Sequence, residues 1–148
     1  MTTLDWKKIC CPIDFSDSSR GAVHVATELS RRFGADLLLL HVFQLPVYSF
    51  LDATVSPSVR STEELLKRID SLLEHWKNEA EKLGAARVLT TTGQGIPHVE
   101  IVRCARENNC DLIVMGTHGH TGIRHALIGS VAEKVIRTAG RAVLTVPP

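Results

Sequence analysis

Near the C-terminal end, one stretch gathers the residue types that hold phosphate. Gly116, Gly119 and Gly122 are interleaved with Thr117, His118, His120 and Thr121, and Gly129-Ser130 follows at the head of a helical pattern. Immediately upstream, Leu112 to Met115 is an apolar run with the length and β-branched content of a buried strand. A strand, a Gly-rich loop and a polar helix start together can cradle an anion. Glycine lets the backbone approach the charge and adopt positive φ, and the free amides of a helix N-terminus point at it. The chemistry expected of this stretch is adenine-nucleotide binding.

The pattern differs from two better-known phosphate loops. No Gly-Lys-Ser/Thr ends it, so it is not a Walker loop. The only Gly-x-Gly, at Gly93 and Gly95, has no third glycine in register for a dinucleotide fingerprint. Without a loop lysine, phosphate charge falls to backbone amides, the Ser130 hydroxyl, the helix dipole and a divalent cation. Each helix-end interaction contributes only about 0.3–1 kcal/mol at an exposed site. The expectation is therefore binding, with hydrolysis slow or absent. His118 and His120 are the only candidates for a general base. The spacing of His118, His120 and His125 fits no zinc pattern, and no cysteine or carboxylate joins them. Arg124 has the reach for a terminal phosphate but reads equally well as a solvated loop arginine.

Positioning such a loop requires a sheet, and the rest of the chain supplies one. Residues 7–13 read as a first strand ending near Pro12, followed by Asp14, and Ser16 or Asp17 can cap the next helix. That helix carries Ala22, Val25, Ala26, Leu29 and Phe33 on one face and ends at Gly34. Residues 36–43 are nearly continuous apolar sequence, as in a strand buried on both faces. Residues 44–60 show no period and read as an irregular excursion, of the kind that forms a lid or partner surface. Thr62 with Glu63-Glu64 opens the longest helix, whose inner stripe is Leu65, Ile69, Leu72, Leu73, Trp76, Ala80 and Leu83. A more polar third strand at 88–92 suits a sheet edge, and 93–97 reads as a turn with Pro97 at the first helical position. A helix over 98–109 leads into the glycine stretch. The final helix has Val131, Ala132, Val135, Ile136 and Ala139 on one face, and a fifth strand runs from Arg141 to Val146. Strands alternating with helices imply a single α/β domain: a doubly wound, five-stranded parallel sheet, order 3-2-1-4-5, with helices on both faces, Rossmann-like. In that order the ends of the first and fourth strands meet at the switch point, where ligands bind.

Composition is consistent with this. At 148 residues, 44% hydrophobic and 22% charged, the chain can bury roughly 70% of its unfolded surface as one domain. A formal charge of +1 gives no electrostatic reason for a nucleic-acid or membrane partner. The first residues lack the basic start and apolar core of a signal peptide, and no apolar run is long enough to span a bilayer, so a cytoplasmic protein is expected. Cys10, Cys11, Cys104 and Cys110 form no Cys-x-x-Cys pair and are expected as buried, reduced thiols.

The same residues carry a family resemblance. Gly116-x-x-Gly119, nine residues, then Gly129-Ser130 resembles the ATP-binding motif of the universal stress protein family. Pro12-x-Asp14-x-Ser16, Leu40-His41-Val42 and Gly95-Ile96-Pro97 are similar to its first-strand, second-strand and pre-helix signatures. The resemblance covers nearly the whole chain and is weakest over 44–60. It implies that Pro12, Asp14 and Val42 border adenine and ribose, and that Met115, Gly116, Thr117, His118, Gly119, His120, Thr121 and Gly122 wrap ribose and phosphates. Gly129, Ser130 and Val131 would hold the phosphate tail. The implied ligand is ATP, with Mg2+ or Mn2+ bound through its phosphates. A homodimer is implied too, since Val143, Leu144 and Val146 on an edge strand expose an apolar, hydrogen-bonding edge that a two-fold copy would cover. Three functions are thus in view: an ATP-binding regulatory protein of the stress response, a slow ATP hydrolase or phosphotransferase at the same site, and a structural dimer that binds no nucleotide.

Overall fold

The computed structural model describes residues 4–45, 48–50, 53–55, 59–119 and 128–148. The chain order is β1 (Lys8–Pro12), α1 (Asp17–Phe33), β2 (Asp36–Phe43), β3 (Tyr48–Phe50), β4 (Ala53–Val55), α2 (Val59–Lys82), β5 (Arg87–Gln94), α3 (Pro97–Glu107), β6 (Leu112–Gly116), α4 (Ser130–Thr138) and β7 (Ala142–Val146). The main sheet is parallel throughout, in the order β5-β2-β1-β6-β7. Counting only its own strands, this is the expected order 3-2-1-4-5.

The alternation of side chains along β1 explains why the sheet is covered on both faces. Ile9, Cys11 and Ile13 pack with Ala22, Val23 and Ala26 of α1 and Ile69, Leu73 and Trp76 of α2. Cys10 faces the other way, into a cluster with Leu38, Leu40, Ile101, Ile113, Met115 and Val135 under α3 and α4. All four cysteines are buried free thiols. Burial alone pushes the Cys11 thiol up to about 12.

Helix ends follow local chemistry. The Ser16 side chain accepts from the Ser19 amide at the start of α1, and Gly34 closes that helix at φ 65. Pro97 occupies the first turn of α3, which stops at Glu107 and not at Asn109, because Asn109 turns left-handed at φ 53.

Four further expectations need correction. Residues 44–60 are not wholly irregular: β3 and β4 pair antiparallel, Tyr48 opposite Val55, in strands of three residues, too short for any period to register. Helix α2 begins at Val59, ahead of Thr62, and its added turn is supported by the Arg60–Glu64 ion pair at 3.3 Å, four residues apart. Gly93 and Gln94 belong to strand β5, paired with Val42 and Phe43, and are not part of a turn. Leu83 and Ile136 are exposed, at 50% and 48%. Leu83 lies past the end of α2, where Gly84 at φ 100 turns the chain away. Helix α4 packs against α3 and the edge strand β7, so only a narrow face carrying Ala132, Val135 and Ala139 is covered.

Candidate functional site

Beyond the carboxyl ends of the neighbouring strands β1 and β6 lies a cavity of about 490 Å³. Its first wall follows β1. The Ile13 amide donates to the Leu40 carbonyl at 2.8 Å, continuing the pairing past Pro12. The chain then turns sharply, with Phe15 in the left-handed region at φ 65, an unusual conformation for a bulky residue. That turn sends neighbouring side chains to opposite sides. The Phe15 ring packs 4.5 Å from His41 and 5.7 Å from Trp76 on the α1–α2 side, while Asp14 lines the cavity. The His41 Nδ1 proton is shared with the Ile13 carbonyl at 2.8 Å, which braces the same turn from β2.

The Asp14 carboxylate is held from below. Its Oδ1 accepts from the Ser19 hydroxyl at 2.7 Å and the Ser16 amide at 3.0 Å. The Asp14 amide in turn donates to Ser19 Oγ at 2.9 Å.

The second wall follows β6. The Thr117 amide donates to the Val146 carbonyl at 3.0 Å, extending the β6–β7 pairing. The Thr117 carbonyl then accepts from the Gly129 amide at 2.5 Å, closing the neck of the intervening loop. The His118 Nδ1 and Thr117 Oγ1 lie 2.9 Å apart. Next comes α4, whose N-cap is Gly129 and whose first amides receive no side-chain cap. Gly129, Ser130, Val131 and Ala132 all line the cavity. A helix end of this kind presents donors and positive partial charge to whatever lies in front of it.

The expected positive φ is not what Gly116, Gly119 and Gly129 require. Among the described residues, positive-φ glycines are Gly34, Gly84, Gly95 and Gly140, and none belongs to the motif. Gly129 sits at φ −70. What these positions require is the absence of a side chain. A Cβ at Gly119 would overlap Asp14 Oδ2, and one at Gly116 would overlap Ser18 Oγ. At Gly129 a Cβ would stand 2.6 Å from the Thr117 carbonyl oxygen. Their lack of a side chain thus lets Gly116 and Gly119 pass against Ser18 and Asp14, and Gly129 against Thr117.

The structure brings together Pro12, Asp14, Val42, Met115, Gly116, Thr117, His118, Gly119, Gly129, Ser130 and Val131 around this one cavity. His120, Thr121 and Gly122, with Arg124 and His125, lie outside the described residues. Sequence reasoning missed Ile13, Ser19, Leu40, Pro97, Ile101, Ile128, Ala132 and Glu133. Some were within reach of pattern: Leu40 shares a face with Val42 by strand period, and Ile101 follows Pro97 by one helical turn. Ser19 carried no signal of its own. Among the described residues, no group of three histidines, cysteines or carboxylates is placed to hold a metal. None of the described helices is long and apolar enough to cross a membrane.

The lining divides by polarity. Leu40, Val42, Pro97, Ile101, Met115 and Ile128 give an apolar slot, and Asp14, Ser19, Thr117, Ser130 and Glu133 give polar groups. This is the layout of a pocket for a part-aromatic, part-anionic ligand.

Comparison with known proteins agrees with the motif. The family model described as the universal stress protein family matches residues 5–147. The chain belongs to the universal stress protein family. Among curated relatives, universal stress protein MJ0531 of Methanocaldococcus jannaschii is 35% identical over 147 residues, covering 95% of this chain and 82% of that one. Universal stress protein MJ0577 of the same organism is 33% identical, covering 95% and 94%. The solved structure of MJ0577 superposes with a TM-score of 0.79 at 29% identity, over 98% of each chain. A universal stress protein in complex with cAMP has the same fold, with a TM-score of 0.75 at 24% identity over 97% and 98%. The doubly wound sheet is therefore that of a universal stress protein.

Proposed function

We propose that the chain binds ATP in this cavity and acts as a small nucleotide-dependent regulatory protein of the stress response. The observation that carries the reading is the α4 N-terminus. Its amides have no side-chain cap, and they open onto the same cavity as an apolar slot and a held carboxylate. Adenine would occupy the slot near Val42 and Pro12, with Asp14 toward the ribose. The phosphate tail would lie along Gly129, Ser130 and Val131. A cavity of about 490 Å³ is of the size that holds such ligands. The fold neighbour in complex with cAMP supports an adenine nucleotide on this scaffold.

No lysine or arginine lines the cavity among the described residues. Glu133, in the first turn of α4, adds a negative charge at the proposed phosphate end. This donor set suits ATP carried with Mg2+ or Mn2+, the cation offsetting charge that the protein does not. It also favours holding ATP over splitting it, since among the described residues no lysine or arginine side chain lines the cavity to stabilise a transferring phosphoryl group. The exposed edge of β7, with Leu144 38% accessible, supports a homodimer closed by two copies of this strand.

The test is direct. Nucleotide released from purified protein by denaturation should elute as ATP on ion-exchange chromatography, and millimolar Mg-ATP should raise the melting temperature. Protein that releases no nucleotide and does not respond to Mg-ATP would exclude this function and leave the structural dimer.

A further inference from the structure

We propose that Ser19 is a positioning residue for the ligand, acting through the Asp14 carboxylate. The inference rests on the ATP-binding reading above and concerns what makes that site selective in its geometry. Ser19 is 5% exposed and lies in the first turn of α1, where its amide donates to the capping Ser16 Oγ at 3.3 Å. Its hydroxyl has one proton to give, and gives it to Asp14 Oδ1 at 2.7 Å. The hydroxyl oxygen, Ser19 Oγ, accepts from the Asp14 amide at 2.9 Å. Serine and aspartate are thus joined at two points, one on the backbone and one on the carboxylate.

Two donors, Ser19 Oγ and the Ser16 amide, converge on Oδ1 alone. With that oxygen fixed, the other lies toward Gly119, where even a Cβ would overlap it. A lone aspartate on a turn has several staggered rotamers. Here Ser19 selects one, and the φ 65 turn at Phe15 keeps the backbone compatible with it. Orientation settled before the ligand arrives spares the complex that ordering cost.

Mg-ATP affinity measured by calorimetry on wild type, Ser19→Ala, Asp14→Ala and the double variant tests this. Ser19→Ala is expected to weaken binding roughly tenfold, the scale of one hydrogen bond to a charged group. In the Asp14→Ala background, where no side-chain oxygen is left to hold, the same change should alter affinity less than about twofold. Ser19→Cys, close in volume but only a weak donor, should reproduce the loss and covers the case in which the alanine variant folds poorly. Gly34→Ala, which strains the left-handed end of α1 away from the cavity lining, should lower the melting temperature while affinity stays within about twofold. Multiplicative losses in the double variant, an unchanged Ser19→Ala, or an equal loss in Gly34→Ala would each overturn the inference. Wild type that fails to bind Mg-ATP at all removes the parent reading itself, and that result is obtained before any variant is compared.

Discussion

A missing methyl group means different things at Gly119 and Gly129. At Gly119 the atom in the way is the end of an aspartate side chain, which can swing aside. At Gly129 it is the Thr117 backbone carbonyl, which is already committed to the Gly129 amide. Gly119→Ala should therefore fold with a melting temperature near wild type and lose ATP affinity by about tenfold or more, because Asp14 is displaced. Gly129→Ala should lose about 1–3 kcal/mol of stability as the neck opens, which denaturant titration would detect. Equal stability losses in both variants would show that the two glycines do the same job. The glycine spacing was legible in the sequence, but its physical cause was not. A pattern of glycines is equally compatible with left-handed backbone and with close approach, and only coordinates separate them.

At the scale of the element, α4 sets the charge at the proposed phosphate end of the cavity. Its open amides attract an anion, and Glu133, paired with Arg137 at 2.8 Å but still facing the cavity, repels one. A divalent cation on the phosphates would offset that repulsion. Glu133→Gln should therefore bind ATP more tightly than wild type by roughly two- to fivefold in EDTA, with a smaller gain in excess Mg2+. Fluorescent-nucleotide titrations with and without EDTA would measure it, and equal gains in both buffers would argue against cation compensation. Long elements such as α1, with its Ser16 start and Gly34 stop, were legible because period and caps agree. The β3–β4 hairpin was not, because three residues per strand leave no period to read. Glu133 was overlooked for a related reason: on a helical wheel it is merely a polar residue, and its place at the cavity depends on where α4 is docked.

For the molecule as a whole, the sheet order followed from the alternation of strands and helices, together with polar clusters after β1 and β6 that had to share one crevice. Burial on both faces has a further consequence at high pH. The Cys11 thiol is pushed up to about 12 from its ordinary 9.0 by burial. A raised thiol value means that the folded chain keeps a proton the unfolded chain gives up. The resulting stability is complete below pH 9.0 and is lost as pH rises toward about 12. Cys11→Ala should flatten that alkaline limb of the stability curve, as read by denaturant midpoints across the interval.

The sheet's two edges are not equivalent, and that difference bears on assembly. Strand β5 carries exposed Arg87, Thr90, Thr92 and Gln94, an edge that water can cover. Strand β7 instead presents Leu144, with Val143 and Val146 partly buried beside it, and no further strand covers it among the described residues. An edge with apolar side chains and unpaired backbone groups recruits another strand, whereas a lysine on such an edge discourages it. If the proposed homodimer closes through β7, wild type should sediment as a dimer at micromolar concentration and Leu144→Lys as a monomer. Leu144 lies outside the cavity lining, so Mg-ATP should still raise the melting temperature of the variant. If the variant keeps the dimer's sedimentation coefficient, β7 is not the contact.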